Sequence, residues 1–224
     1  MLWVVDGTLI RAGPAGRLAF ADAIEAVLGT SVAHDALPRM AGKTDRQIAL
    51  EVLDALGQPD THLPAVEAAI EAALLARAEQ VRAEGIVLPG VHELVAALDA
   101  AGATQTLVTG NIAPNARLKL EVVGLWPGPL RLELGAYGSD HGDRDNLVPI
   151  ALGRCRDAGV EVELARTWVV GDTLRDLACA RAGGVRCLLV GTGGGSIDEL
   201  VAAGADAVVA DLSDTQGVCA LLTS

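Results

Sequence analysis

The chain opens MLWVVDGTLI (Met1–Ile10), and this stretch decides how the rest is read. An unbroken apolar run, Leu2 to Val5, stops at Asp6-Gly7-Thr8. A short apolar run closed by a turn signal is the pattern of a fully buried strand. Gly7 permits a tight departure from that strand, and the Thr8 hydroxyl can satisfy loop backbone. An Asp-Gly turn is common and carries little by itself. The same pattern recurs downstream, however. TLVTGN (Thr106–Asn111) ends an apolar run at Thr109. TWVVGDTLRD (Thr167–Asp176) runs another into Asp172, with Asp176 four residues later.

Working outward, two kinds of patterning divide the chain. Between residues 15 and 84 every apolar repeat is helical: Phe20, Ile24, Val27 and Leu28 share one face. Ile48, Val52, Leu53 and Leu56 share a second, and Val66, Ile70, Leu74 and Val81 a third. Breakers at Gly29, Pro38, Gly42, Gly57, Pro59 and Pro64 separate them. After Leu88-Pro89-Gly90 the pattern alternates. Helices are predicted over 91–101, 114–123, 146–158, 174–182 and 197–203. Strands are predicted over 104–109, 131–134, 167–170, 185–190 and 207–209. Alternation of helices with fully apolar strands predicts an α/β fold with a parallel, Rossmann-like sheet covered on both faces. The expected organisation is a core domain of residues 1–14 and 85–224, with 15–84 inserted as a helical cap. Ligands of such sheets bind beyond the carboxyl ends of the strands, near the switch in strand order. Asp6, Thr109 and Asp172 each lie at such an end.

The bulk composition narrows the function classes. The 224 residues are 51% hydrophobic, enough for a well-buried core. No apolar run reaches the ~18 residues that a spanning helix needs. No basic, apolar and small-residue leader is visible, so the expectation is a soluble cytoplasmic protein, monomeric or homodimeric. A net charge of −12 argues against a nucleic-acid partner, because phosphate backbones favour a basic face. Cys155, Cys179, Cys187 and Cys219 form no CxxC pair and read as small buried apolar residues.

The segments LPGVHELVAAL (88–98), TGNIAPNARLKL (109–120) and GDTLRDLACARAGGV (171–185), together with DGT at 6–8, resemble motifs of the haloacid dehalogenase superfamily. The resemblance extends from Leu2 to about Leu212. It is nearest to the phosphoglycolate-phosphatase-like branch, which carries a helical cap after its first motif. That family opens with Asp, any residue, then Asp-Gly-Thr, and the first Asp is the nucleophile. Here that position is Val4.

The resemblance implies roles for other residues. Asp6 would protonate the leaving group and then activate water. Thr109 would hydrogen-bond a phosphoryl oxygen, with Thr8, Gly110 and Asn111 beside it as substrate-binding residues. A basic residue of the third motif would neutralise the anion. The matching stretch GSDHGDRDNLVPIA (138–151) has no Lys, which leaves Arg144, whose alternative is a solvated Arg at a helix start. Mg²⁺ would be held by Asp172, the backbone carbonyl of Asp6 and the nucleophile's carboxylate, with Asp176 supporting; an i, i+4 surface charge is the alternative for Asp176. Valine supplies neither the nucleophile nor an anionic ligand, so Mg²⁺ binding should be weakened. Gly42-Lys43-Thr44-Asp45 opens a helix that Thr44 can cap, and Lys43 is a candidate to bind an anion. Gly191 to Gly195 reads as a flexible loop rather than a dinucleotide site, because it follows the last large strand.

Three functions fit these residues. One is acid–base chemistry on a small anionic substrate, using Asp6 without a nucleophile. Another is an Mg²⁺-dependent phosphatase whose nucleophile is lost or mutated. The third is a non-catalytic protein that binds a ligand or a partner.

Overall fold

The computed structural model describes residues 1–224. Its strands are β1 (Leu2–Trp3), β2 (Ile10–Arg11), β3 (Ile86–Val87), β4 (Thr106–Thr109), β5 (Ala136–Tyr137), β6 (Trp168–Gly171), β7 (Arg186–Val190) and β8 (Ala207–Val209). Its helices are α1 (Ala15–Leu28), α2 (Asp45–Ala55), α3 (Leu63–Ala76), α4 (Ala78–Glu84), α5 (Val91–Ala100), α6 (Ala113–Val122), α7 (Leu147–Asp157), α8 (Leu174–Ala182), α9 (Ile197–Ala202) and α10 (Thr215–Thr223).

Six strands make one parallel sheet in the order β5-β4-β1-β6-β7-β8, a Rossmann-like α/β core. The chain steps from β1 to β4 and β5 on one side, then returns to β6, β7 and β8 on the other. The strand order therefore reverses around β1, where a crevice opens at the carboxyl ends. In register, Trp3 lies between Leu107 and Val170. Pairing continues past β1, because the Val4 amide donates to the Val170 carbonyl at 2.9 Å.

Alternation along the strands feeds two apolar clusters on opposite faces of the sheet. Trp3, Val5, Leu107, Trp168 and Val170 join one cluster. Leu2, Val4, Val108, Val169 and Leu189 join the other. The Trp3 indole is fully buried and donates to Gln105 Oε1 at 3.1 Å, so its polar atom is satisfied. Cys155, Cys179 and Cys187 are buried free thiols within this packing, and Cys219 is half-buried.

Helices α1 to α4 occupy residues 15–84 and pack around their own centre of Phe20, Ile24, Ile48, Leu53 and Ile70. The antiparallel pair β2–β3 forms the neck through which this helical segment leaves and rejoins the core. Ile112, from the core, is buried in the same helical cluster and joins the two layers.

The structure corrects four details of the sequence reading. Residues 131–134 do not form a strand. Leu132–Leu134 is a 3₁₀ turn, closed by Leu134 N–H donating to the Arg131 carbonyl, and the strand forms two residues later. The third cap helix breaks at Arg77, whose backbone leaves helical geometry (φ −101°, ψ 12°). The apolar repeat nevertheless persists across the break, because Leu74 and Val81 lie seven residues apart and are both buried. Two-residue strands flank the cap where a loop was expected. A closing helix, α10, follows the last strand, with the Asp214 carboxylate accepting from Gly217 N–H at 3.0 Å. No helix is long and apolar enough to cross a membrane.

Candidate active site

A cavity of about 490 Å³ lies over the carboxyl ends of β1, β4 and β6, beneath the cap. Val4, Asp6, Lys43, Thr109, Gly110, Asn111, Arg144, Asp172 and Asp176 all line it. Three separate strands thus deliver their terminal polar groups to one rim. Thr8 lies just below, and its hydroxyl donates to Asp172 Oδ1 at 2.9 Å. Val4 is 6% exposed and presents only methyl groups to the cavity.

Each carboxylate has a distinct set of partners. Asp6 accepts from Lys119 Nζ at 3.0 Å and 2.7 Å on its two oxygens, and from Asn111 Nδ2 at 2.7 Å. Lys119 also donates to Asn111 Oδ1 at 2.7 Å, so all three side chains form one closed network. Asp176 is buried inside the turn. Its Oδ1 receives Arg144 Nη2 at 2.5 Å, and its Oδ2 receives the amides of Asp172 and Thr173 and the Thr173 hydroxyl at 2.9–3.0 Å. It is the third residue of α8 and closes a capping box with Thr173 at the N-cap, rather than a surface charge. Asp172 has only Thr8 as a donor. Burial, and next the neighbouring Asp176, hold its carboxyl well above the usual carboxylate range.

Arg144 is 6% exposed, not a solvated helix-start residue. It opens a 3₁₀ turn ahead of α7, and its Nε has no hydrogen-bond partner. Lys43 lines the mouth but pairs with Glu51 of α2. Thr44 caps α2 by accepting from Gln47 N–H at 3.0 Å and donates to the Gly142 carbonyl at 2.6 Å. Asp45 crosses the layers. Its amide donates to the Gly110 carbonyl at 2.7 Å, and its carboxylate accepts from Ile112 N–H at 2.8 Å. Burial, offset in part by Lys119, pushes the Asp45 carboxyl up to about 6.

The first residues of the glycine-rich segment after β7 are tied to the rim. Thr192 donates to the Gly7 carbonyl at 2.6 Å, and Arg11 donates to the Thr192 carbonyl at 3.1 Å. A Cβ at Gly193 would lie 1.8 Å from Asp172 Oδ2, so only glycine admits this approach.

Lys119 is the functional residue that sequence reasoning missed. The third-motif stretch points instead to Arg144. A signal was present in TGNIAPNARLKL: Asn111, Asn115 and Lys119 recur every fourth residue and are all buried. That spacing places them on one face at the start of α6 and along it.

A family model for haloacid dehalogenase-like hydrolases matches residues 2–181. The chain belongs to that family. A protein of Dickeya dadantii (strain 3937) described as a probable phosphatase, IndB, is 31% identical over 139 residues. The alignment covers 61% of this chain and 57% of that protein's length. Among solved structures, a Pseudomonas syringae hydrolase superposes with a TM-score of 0.74 at 22% identity, covering 100% of this chain and 98% of the other. CbbY from Rhodobacter sphaeroides, solved with phosphate, gives 0.72 at 20% identity, covering 95% and 94%. At those identities the likeness establishes the fold.

Phosphatases of the haloacid dehalogenase family generally use Mg²⁺. The side chains here do not fit that ion well. Mg²⁺ demands near-octahedral oxygen coordination with one or two carboxylates. Asp6 is engaged by an ammonium, and both oxygens of Asp176 are engaged by a guanidinium and three other donors. Val4 offers no oxygen. Only Asp172 Oδ2 is left without a protein donor.

Proposed function

We propose that this haloacid dehalogenase-like protein binds a small anionic substrate at the rim and acts on it by acid–base chemistry, without an aspartyl-phosphate intermediate. The single observation behind this reading is Val4. It faces the cavity at the position where the family resemblance calls for the nucleophile, and no lone pair is available there for attack. Loss of a covalent nucleophile costs ~10⁴-fold or more in comparable enzymes.

Asp6 carries the proton. A carboxylate has about four lone-pair sites. Lys119 and Asn111 use three of them, and the Asp6 side chain is 43% exposed, which leaves a face open to the cavity. Thr109 and Asn111 orient the substrate from the end of β4, with Gly110 giving close backbone approach. Arg144 supplies positive charge from the buried side, and Lys43 does so from the cap. Closure of the cap excludes water and commits the bound molecule.

A second reading is a phosphatase whose nucleophile has been lost, leaving ligand binding alone. The likeness over 139 residues to a protein described as a probable phosphatase favours it. One screen separates the two: the chain and its Val4→Asp variant, each tested on phosphomonoesters and on anionic substrates of lyases and isomerases, with and without Mg²⁺. Acid–base turnover by the chain itself, abolished by Asp6→Asn, favours the first reading. Phosphatase turnover by Val4→Asp alone favours the second. Robust Mg²⁺-dependent phosphatase activity of the unaltered chain would overturn both.

A further inference from the structure

The three carboxylates of the rim are already matched to cations that belong to the chain. Lys119 Nζ spans both oxygens of Asp6 at 2.7 Å and 3.0 Å, and is itself 8% exposed. Arg144 meets Asp176 at 2.5 Å with both partners buried. Two permanent positive charges therefore answer two of three carboxylates. The remaining one, Asp172, receives the Thr8 hydroxyl and is walled on its other side by Gly7 and Gly193.

A divalent cation approaching Asp172 would face two fixed positive groups bound to its nearest carboxylates. Those groups repel a second cation and occupy most of the acceptor sites of the Asp6 and Asp176 carboxylates. The same groups attract an anion. Arg144 has an unpartnered Nε, is 94% buried by its 6% exposure, and lines the cavity. A guanidinium with a spare donor in a recess is a natural partner for a tetrahedral oxyanion.

We propose that this site is metal-independent: Lys119 and Arg144 neutralise its carboxylates in place of Mg²⁺, and a small oxyanion binds on them directly. The proposal rests on the anion-binding reading above and adds the source of the positive charge. Besides meeting the oxyanion, Lys119 positions Asp6 in this scheme. It fixes the Asp6 carboxylate through both oxygens and, with Asn111, aims the open face at the cavity.

Calorimetry on protein stripped with EDTA tests both halves separately. In the first titration, Mg²⁺ is added to the unaltered chain, and no saturable binding in the millimolar range is expected. In the second, inorganic phosphate is added with and without Mg²⁺, and the same affinity within about twofold is expected. Lys119→Met should weaken phosphate about tenfold, corresponding to 1.4 kcal/mol, and should create measurable Mg²⁺ binding by freeing Asp6. Lys119→Arg, which keeps the charge, should retain phosphate binding and the refusal of Mg²⁺. It also guards against reading a folding defect as a binding effect. Val4→Asp should gain Mg²⁺ binding by adding an oxygen ligand. Micromolar Mg²⁺ binding by the unaltered chain, or phosphate binding that needs Mg²⁺, overturns metal independence. Absence of phosphate binding under every condition instead overturns the anion-binding reading, while the Mg²⁺ titration still judges the metal.

Discussion

Asp45 belongs to the cap, yet its carboxylate accepts the amide proton of Ile112 in the core at 2.8 Å. Its own amide donates to the core carbonyl of Gly110 at 2.7 Å. The two bonds pin the first turn of α2 to the loop after β4, directly above the cavity. The cap is thus held down by main-chain groups of the same loop that would cradle a ligand.

This contact carries a pH signature. Burial raises the Asp45 carboxyl from 3.8 to about 6. The folded state therefore holds the proton more tightly than the unfolded chain does. Stability from this group is fully present below the unfolded value and is lost as pH rises through about 6. The shift corresponds to about 3 kcal/mol at neutral pH. Asp45→Asn should raise the melting temperature at pH 7.5 and change it far less at pH 4. Scanning calorimetry at the two pH values checks this; an equal effect at both would refute the assignment.

The Arg144–Asp176 pair is buried on both sides. Removing one member of such a pair strands the other charge, at a cost of about 3–5 kcal/mol. Arg144→Met should show that loss in urea unfolding. Adding Asp176→Asn should recover part of it, since no charge is then left behind. A single-variant loss under ~1 kcal/mol would mean that water reaches the pair.

Two glycines in one loop should respond differently to the same change. A methyl at Gly193 meets Asp172 Oδ2 at 1.8 Å, whereas nothing lies within 4 Å of a methyl at Gly195. Gly193→Ala should destabilise the fold by about 1–3 kcal/mol through overpacking. Gly195→Ala should stay within about 0.5 kcal/mol. Equal losses at both positions would show that the loop does not pack as described.

Lys43 tests the cap side of the site. Its bond to Glu51 is partly solvated, so Lys43→Ala should change stability by less than about 1 kcal/mol. Phosphate affinity should fall at most about fivefold, the same ceiling applied to an exposed ion contact. A larger loss in calorimetry would move Lys43 from the margin to the centre of anion binding.

What could be read in the sequence follows from periodicity. The parallel core was legible because β4, β6 and β7 are continuous apolar runs that end in Thr109, Asp172 and Gly191. The rim was legible for the same reason, since strand ends sit at fixed places in such a sheet. The segment around 131–134 was not, because four residues of alternating character fit a turn as well as a strand. Lys119 was missed on different grounds. Its position follows from a helical face running toward the cavity, which the order of motifs along the chain does not mark. The break at Arg77 gave no signal in the apolar repeat, which runs through it; Arg77 there reaches across to Asp22 of α1 at 2.5–2.8 Å.

Val4 also has a thermodynamic meaning, because its side chain belongs to the sixteen-residue apolar cluster on one face of the sheet. An aspartate placed there would be a fourth acid on a rim where Asp172 already resists ionisation. It would also withdraw a branched hydrocarbon from close packing. The present chain is relieved of both burdens, so its β1 should be harder to unravel than that of a Val4→Asp variant. Exchange of an aspartate for valine at this position runs downhill in folding free energy. The return path requires a scaffold with stability to spare.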